Sequence, residues 1–243
     1  NELGFWHRLL SFFRFMFAAT WELFRQDADV VYATSTPLTV AVPAVIMKII
    51  KRRPMVFEVR DAWPTVPIAM GELRNPVLVL LARILERVAY YFADEIVSLS
   101  PDMEKEIRKR CGKNQKISVI PNGCDEAFGN VTKEEVWQVR QNYRWDASTK
   151  IILYAGTFGR VNGVSYLVEL AYEIKKRDSQ VIVVACGKGR ELEHVTQLAS
   201  DLGVLDNTFQ IIDPVTKKRL PSLVAASSIV ASTVIDVPEL AAN

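Results

Sequence analysis

Short apolar runs recur along this chain, each followed by a stretch of helical periodicity, and that alternation restricts it to folds built on parallel sheets with right-handed crossovers. Val30 to Ala33, Met55 to Val59, Glu95 to Leu99 and Lys116 to Ile120 read as strands, with helices from Pro37 to Ile50, Pro76 to Phe92 and Pro101 to Arg110. Pro76 stands in a first turn, where its missing N–H costs nothing. Ser100 reads as an N-cap ahead of Pro101, Asp102 and Glu104, and Gly112 as the stop. A less apolar stretch follows, with a capping box of Thr132 and Glu135 opening a short helix to about Tyr143. The alternation then restarts with strands Lys150 to Ala155, Val181 to Ala185, Thr208 to Ile212 and Ile229 to Ser232. Helices Val164 to Lys176, Arg190 to Leu202 and Lys217 to Ala225 separate them. The expected fold class is α/β, with two doubly wound parallel-sheet domains at 1–125 and 150–243 and an interdomain linker at 126–149.

The chain has 243 residues, 49% hydrophobic and 24% charged, enough to bury a core in each half. A net charge of +2 makes no demand for nucleic acid, and no nucleic-acid-binding motif is present, so no nucleic-acid partner is expected. Cys111, Cys124 and Cys186 are odd in number and widely spaced, which fits a reducing cytoplasm better than a disulfide framework or a zinc site. His7 and His194 form no metal-binding pair, so neither a metal nor another cofactor is expected.

Phe5 to Phe17 interleaves aromatics with arginines and continues as an amphipathic helix to about Arg25. Arg8, Arg14 and Glu22 interrupt it, so it lacks the roughly 20 apolar residues of a membrane span. Ala18-Ala19-Thr20-Trp21 is a poor match to a signal-peptidase site. Two readings fit. Residues 5–25 lie in the headgroup layer of an anionic membrane, with Arg8, Arg14 and Arg25 near phosphates, or they form a surface helix packing its aromatic face on the core. The basic runs Lys48, Lys51, Arg52, Arg53 and Lys105, Arg108, Lys109, Arg110 either complement helix C-termini or face anionic lipid.

Three loops carry candidate chemistry. Ile120-Pro121-Asn122-Gly123-Cys124-Asp125 is a turn at the foot of the first half, so Asn122 and Gly123 are candidate interdomain-cleft residues. Gly156 to Gly163, between a strand and a helix, suits close backbone approach to an anion or serves only as a turn. Cys186-Gly187-Lys188-Gly189-Arg190 offers the same two alternatives. Arg60 and Asp61 end an apolar strand at the ligand-binding edge of a doubly wound sheet, where the carboxylate would accept or orient a hydroxyl proton and the guanidinium would pair with a phosphate. A purely structural Arg–Asp pair is the alternative. Ser35, Thr36, Pro37 and Thr39 read as cleft-lining.

In order along the chain, Phe57 to Pro64, Val119 to Asp125 and Ile152 to Gly163 resemble the retaining family 4 (group 1) glycosyltransferases of the GT-B fold, which build bacterial surface polysaccharides. The resemblance covers the middle of that family's length. It implies two Rossmann-like domains, both incomplete, with a first strand and Gly-rich loop before Asn1 and a paired-glutamate helix after Asn243, and hence no turnover by this stretch alone. It implies catalytic roles for Asp61 and Arg60, and donor binding by Gly156, Thr157, Arg160, Asn162, Gly163, Gly187, Lys188, Gly189 and Glu239. Thr157 and Asn162 stand where the family usually has Arg and Lys, which leaves Arg160 or the helix N-terminus to neutralise the diphosphate. The implied partners are a nucleotide sugar and a lipid-linked glycan acceptor, and the headgroup-layer reading of residues 5–25 adds an anionic membrane surface at the inner face of the cytoplasmic membrane. A nucleotide-sugar epimerase of the same fold and a non-catalytic membrane-associated binding module are the alternatives.

Overall fold

The structure, a computed structural model, describes residues 5–35, 37–177, 180–237 and 240. The chain divides into two compact units, residues 1–122 with 237–243, and residues 123–236. Thr36 and Glu239, both read from the sequence as site residues, lie outside the described residues.

The first unit runs α1 (Phe5–Arg25), β1 (Val31–Thr34), α2 (Ala41–Ile50), β2 (Met55–Val59), α3 (Thr65–Ala69), α4 (Pro76–Phe92), β3 (Glu95–Ser98), α5 (Pro101–Arg108) and β4 (Ile117–Val119). Its strands are parallel in the order β1-β2-β3-β4. Alternate residues of β2 are buried, and Met55, Phe57 and Val59 meet Ala41, Ala44 and Met47 of α2 and Ala89 and Tyr90 of α4 in one core. Small residues on α2 let the helix lie close on the sheet. Lys48 on α2 donates both to Asp94 Oδ1 (2.5 Å) and to Oδ2 (2.6 Å), and Met55 N–H donates to Oδ2 (2.7 Å). Desolvation pushes the Asp94 carboxyl up, but these hydrogen bonds together outweigh it and hold the group below its ordinary value.

The second unit runs α6 (Lys133–Asn142), β5 (Lys150–Ala155), α7 (Ser165–Lys175), β6 (Val181–Cys186), α8 (Leu192–Asp201), β7 (Phe209–Ile212), α9 (Leu220–Ala225) and β8 (Ile229–Val230). Its parallel sheet has the order β7-β6-β5-β8, so the chain steps outward from β5 through β6 to β7 and then crosses back to the other side of β5. Residues 126–149 are part of this body: α6 opens with the Thr132–Glu135 capping box, and Trp145, buried and stacked on Tyr143, joins Ile151, Leu153 and Leu223 in a core layer.

Several helix starts differ from the sequence reading, each for a local reason. Leu38 to Val40 is a 3-10 turn and the α-helix begins only at Ala41, because Pro43 must sit in a first turn. Pro221 likewise confines α9 to Leu220–Ala225 instead of starting at Lys217. Strand β8 is two residues, ending at Val230 instead of Ser232. Helix α3 was not foreseen. Its prolines, Pro64 and Pro67, fall at the N-cap and within its first turn, where they are tolerated.

Candidate functional site

Strands β5, β6 and β7 end side by side at Ala155, Cys186 and Ile212. The reversal of strand order lies between β5 and β8, and in an open parallel sheet ligands bind outside the carboxyl ends of strands at such a point. A cavity of about 340 Å³ opens at this edge, lined among others by Gly156, Thr157, Gly187, Lys188, Pro214 and Val215.

Two glycine loops build its wall by exchanging backbone hydrogen bonds. Gly156 N–H donates to Cys186 C=O (2.9 Å), Phe158 N–H to Lys188 C=O (3.0 Å) and Glu191 N–H to Phe158 C=O (3.0 Å), while Gly187 N–H donates to Ile212 C=O (3.1 Å). The backbones approach so closely that a Cβ at Gly187 would lie 1.8 Å from Gly156 O, and one at Gly189 would lie 2.3 Å from Phe158 O. Phe158 is fully buried, edge-on to Tyr154 with centroids 6.3 Å apart, and anchors the loop from below. The Tyr154 hydroxyl donates to Thr157 C=O (2.8 Å). Burial pushes the Tyr154 phenol up, opposed by a hydrogen bond with the Asn162 side chain.

The far end of the loop is tied down separately. Gly163 is left-handed at φ 54°, the Thr233 hydroxyl donates to Asn162 C=O (2.6 Å), and Ile235 N–H donates to Val161 C=O (2.9 Å). Gly156, Thr157, Gly187 and Lys188 therefore come together around the cavity. Arg160, Asn162, Gly163 and Gly189 are not among its lining residues: Asn162 and Gly163 shape the loop, Gly189 packs on Phe158, and Arg160 is exposed.

On the first unit the ends of β1, β2 and β4 converge through polar contacts. Arg60 N–H donates to the buried Ser35 Oγ (3.0 Å), Arg60 Nη2 donates to Asn122 Oδ1 (3.3 Å), and Arg60 Nη1 lies 3.9 Å from Glu58 Oε1. Thr34 donates to Glu58 Oε2 (3.0 Å). Burial, and then the Glu58 charge, push the Tyr32 phenol up. Asp61 is half-buried and its C=O accepts from Trp63 N–H (2.8 Å). The structure thus joins Arg60 to Asn122, while Gly123 is exposed at the start of the second unit. Sequence reasoning missed Glu58 as a partner of Arg60, and Pro214 and Val215 at the cavity. The strand-end rule applied to Ile212-Asp213-Pro214 would have found the latter two.

Among the described residues no group of His, Cys, Asp and Glu could hold a metal ion, and no helix is long and apolar enough to cross a membrane. Residues 3–128 match the model of Glycosyltransferase Family 4, and residues 135–238 match that of Glycosyl transferases group 1. Among curated proteins no match is found. Solved structures with the same fold include Anabaena Alr3699/HepE in complex with UDP, at 20% identity and TM-score 0.68, covering 92% of this chain and 56% of that one. A glycosyltransferase from Rickettsia africae is 16% identical with TM-score 0.64, covering 97% and 58%. A putative UDP-N-acetylglucosamine 2-epimerase from Listeria monocytogenes is 14% identical with TM-score 0.58, covering 90% and 56%. The chain therefore spans a little over half the length of these structures, and at such identities the likeness establishes the fold.

Proposed function

The chain belongs to the family 4, group 1 glycosyltransferases and has their GT-B fold, and from that premise we propose that the protein transfers a sugar from a nucleotide donor to a lipid-linked glycan in cell-surface polysaccharide synthesis. The observation that carries the proposal is the cavity at the carboxyl ends of β5, β6 and β7, walled by two glycine loops. A nucleotide sugar leaves as a nucleoside diphosphate, so the site must stabilise charge growing on the leaving oxygen. Lys188 at the cavity and the exposed Arg160 would supply cations, and Thr157 a hydroxyl. On the other unit Asp61 would accept or orient the proton of the attacking hydroxyl, and Arg60, steadied by Asn122 and Ser35, would pair with an acceptor phosphate.

UDP, held by the Anabaena structure, is the nucleotide to test first. The intact protein is expected to release UDP from a UDP-sugar only when a lipid-linked acceptor is present, with the sugar recovered on the lipid. Recovery of an epimerised donor instead would sink the transferase reading.

The setting proposed for this reaction is the inner face of the cytoplasmic membrane. Helix α1 turns Leu23 and Phe24 toward the core and leaves Leu10, Phe13, Phe17 and Trp21 exposed along one stripe, beside Arg14 and Arg25. The Arg8 side chain lies outside the described part. In flotation with anionic vesicles, Phe17→Glu with Trp21→Glu is expected to weaken partitioning at least about tenfold, since two aromatic insertions are lost. Unchanged flotation would remove α1 as the contact.

A further inference from the structure

Helix α4 is apolar on both of its faces. Ala89 and Tyr90 are buried in the core, whereas Val77, Leu80, Leu81, Ile84 and Tyr91 are turned outward, with Val77 62% and Tyr91 78% exposed. A helix apolar all round is ordinarily covered on every side. The charges on its exposed surface are cationic, Arg83 and Arg87, because the helix's one acid, Glu86, is buried.

Beside the first turns of this helix lies an open trough of about 560 Å³ between α3 and α4. Ile68, Leu73, Val79 and Leu80 line it, and Arg74 and Arg83 stand among them. Its walls are fixed by local chemistry. Glu72 N–H and Leu73 N–H both donate to Pro67 C=O (2.9 and 3.1 Å), Arg74 Nε donates to Gly71 C=O (2.8 Å) with Gly71 left-handed at φ 69°, and Asn75 Oδ1 accepts from Val77 N–H and Leu78 N–H to start α4. Among the described residues neither Arg74, Arg83 nor Arg87 makes a close ion pair, though the charge of Arg83 does act on the buried Glu86 carboxyl.

We infer that this trough seats the hydrocarbon chain of the lipid-linked acceptor, with Arg74 and Arg83 holding the phosphate that adjoins the lipid and Arg60 left to pair with a phosphate on the glycan side. The inference rests on the acceptor being a phosphorylated lipid, as proposed above. The argument is complementarity: a concave apolar wall of small-molecule size favours a single alkyl chain over a flat surface, and two guanidiniums held in no close ion pair call for an anion at its end. A protein partner reading only the apolar stripe would have no use for the two arginines inside the trough, and a free anion would have no use for its four aliphatic walls.

The test is equilibrium binding of dodecyl phosphate to the intact protein, below its micelle-forming concentration, with dodecanol and inorganic phosphate as probes of each half alone. Dodecyl phosphate is expected to bind at least about tenfold more tightly than either. Arg83→Ala is expected to weaken it about tenfold, and Leu80→Asp to weaken it as much while leaving the thermal midpoint in place, since both side chains face solvent. UDP binding, which belongs to the second unit, is expected to be unchanged in both variants. Loss of all turnover in the unsubstituted protein would fail the proposed function, whereas intact turnover without dodecyl phosphate binding would overturn only this inference. Binding to vesicles but not to the monomeric amphiphile would overturn it in favour of a flat membrane contact. A dimer dissociated by Leu80→Asp would overturn it in favour of a second copy.

Discussion

Gly187→Ala is expected to abolish nucleotide binding and to destabilise the second unit by about 3 kcal/mol, at the upper end of what overpacking costs. The added methyl would stand 1.8 Å from Gly156 O, a backbone atom that no rotamer change can move. Gly187 also holds φ 156°, at the edge of the region other residues avoid. Relief requires the two loops to separate, which breaks the bonds from Gly156 N–H to Cys186 C=O and from Phe158 N–H to Lys188 C=O, and so opens the cavity wall. Gly112→Ala is the matched control, since a Cβ there meets nothing within 4 Å. Thermal unfolding and UDP titration of the two variants check the point. Wild-type UDP affinity in Gly187→Ala would mean that these loops do not form the nucleotide site.

The same contact shows where the sequence stops being readable. Glycines at 187 and 189 after an apolar strand mark a strand-to-helix turn, but nothing near them in the chain says that their partners are carbonyls at 156 and 158, some thirty residues earlier. Only pairing of β5 with β6 brings those atoms together. Signals acting over three or four residues were legible: Ser100 accepts from Met103 N–H at 3.1 Å, and Thr132 and Glu135 cap each other as their spacing required. The strands were legible because two-sided burial in a parallel sheet demands apolar runs. The Arg60–Asn122 contact was not, because it joins two loops that the sequence presents as separate motifs. Nor was the outward apolar face of α4. Val77, Leu80, Leu81 and Ile84 look in sequence like any core-facing residues, and only the packing of Ala89 and Tyr90 against the sheet fixes which side remains uncovered.

A second large effect is expected from Arg110→Ala. Arg110 Nη1 lies 3.1 Å from Glu86 Oε1, to which the Tyr90 hydroxyl also donates at 3.1 Å, and Glu86 is only 3% exposed. Burial pushes the Glu86 carboxyl up, more than Arg110 and Tyr90 together pull it down, so it titrates above its ordinary 4.5 in the folded chain. A folded-state value above the unfolded one means that this group's contribution to stability is complete below the unfolded value and is lost as pH rises through the folded one. Without Arg110 the folded value rises further and the loss grows. Arg110→Ala is therefore expected to cost little at pH 4 through this pair and about 3 kcal/mol at pH 8, the low end of the range for an orphaned buried charge because Arg110 itself is partly exposed. Adding Glu86→Gln removes the charge that must be buried, so the double variant should recover most of the loss at pH 8 and little at pH 4. Denaturant unfolding of the four proteins at both pH values reads the coupling directly. A cost for Arg110→Ala that is the same at pH 4 and pH 8 would mean that the side chain stabilises α4 and α5 through its packing, and that Glu86 is neutral throughout.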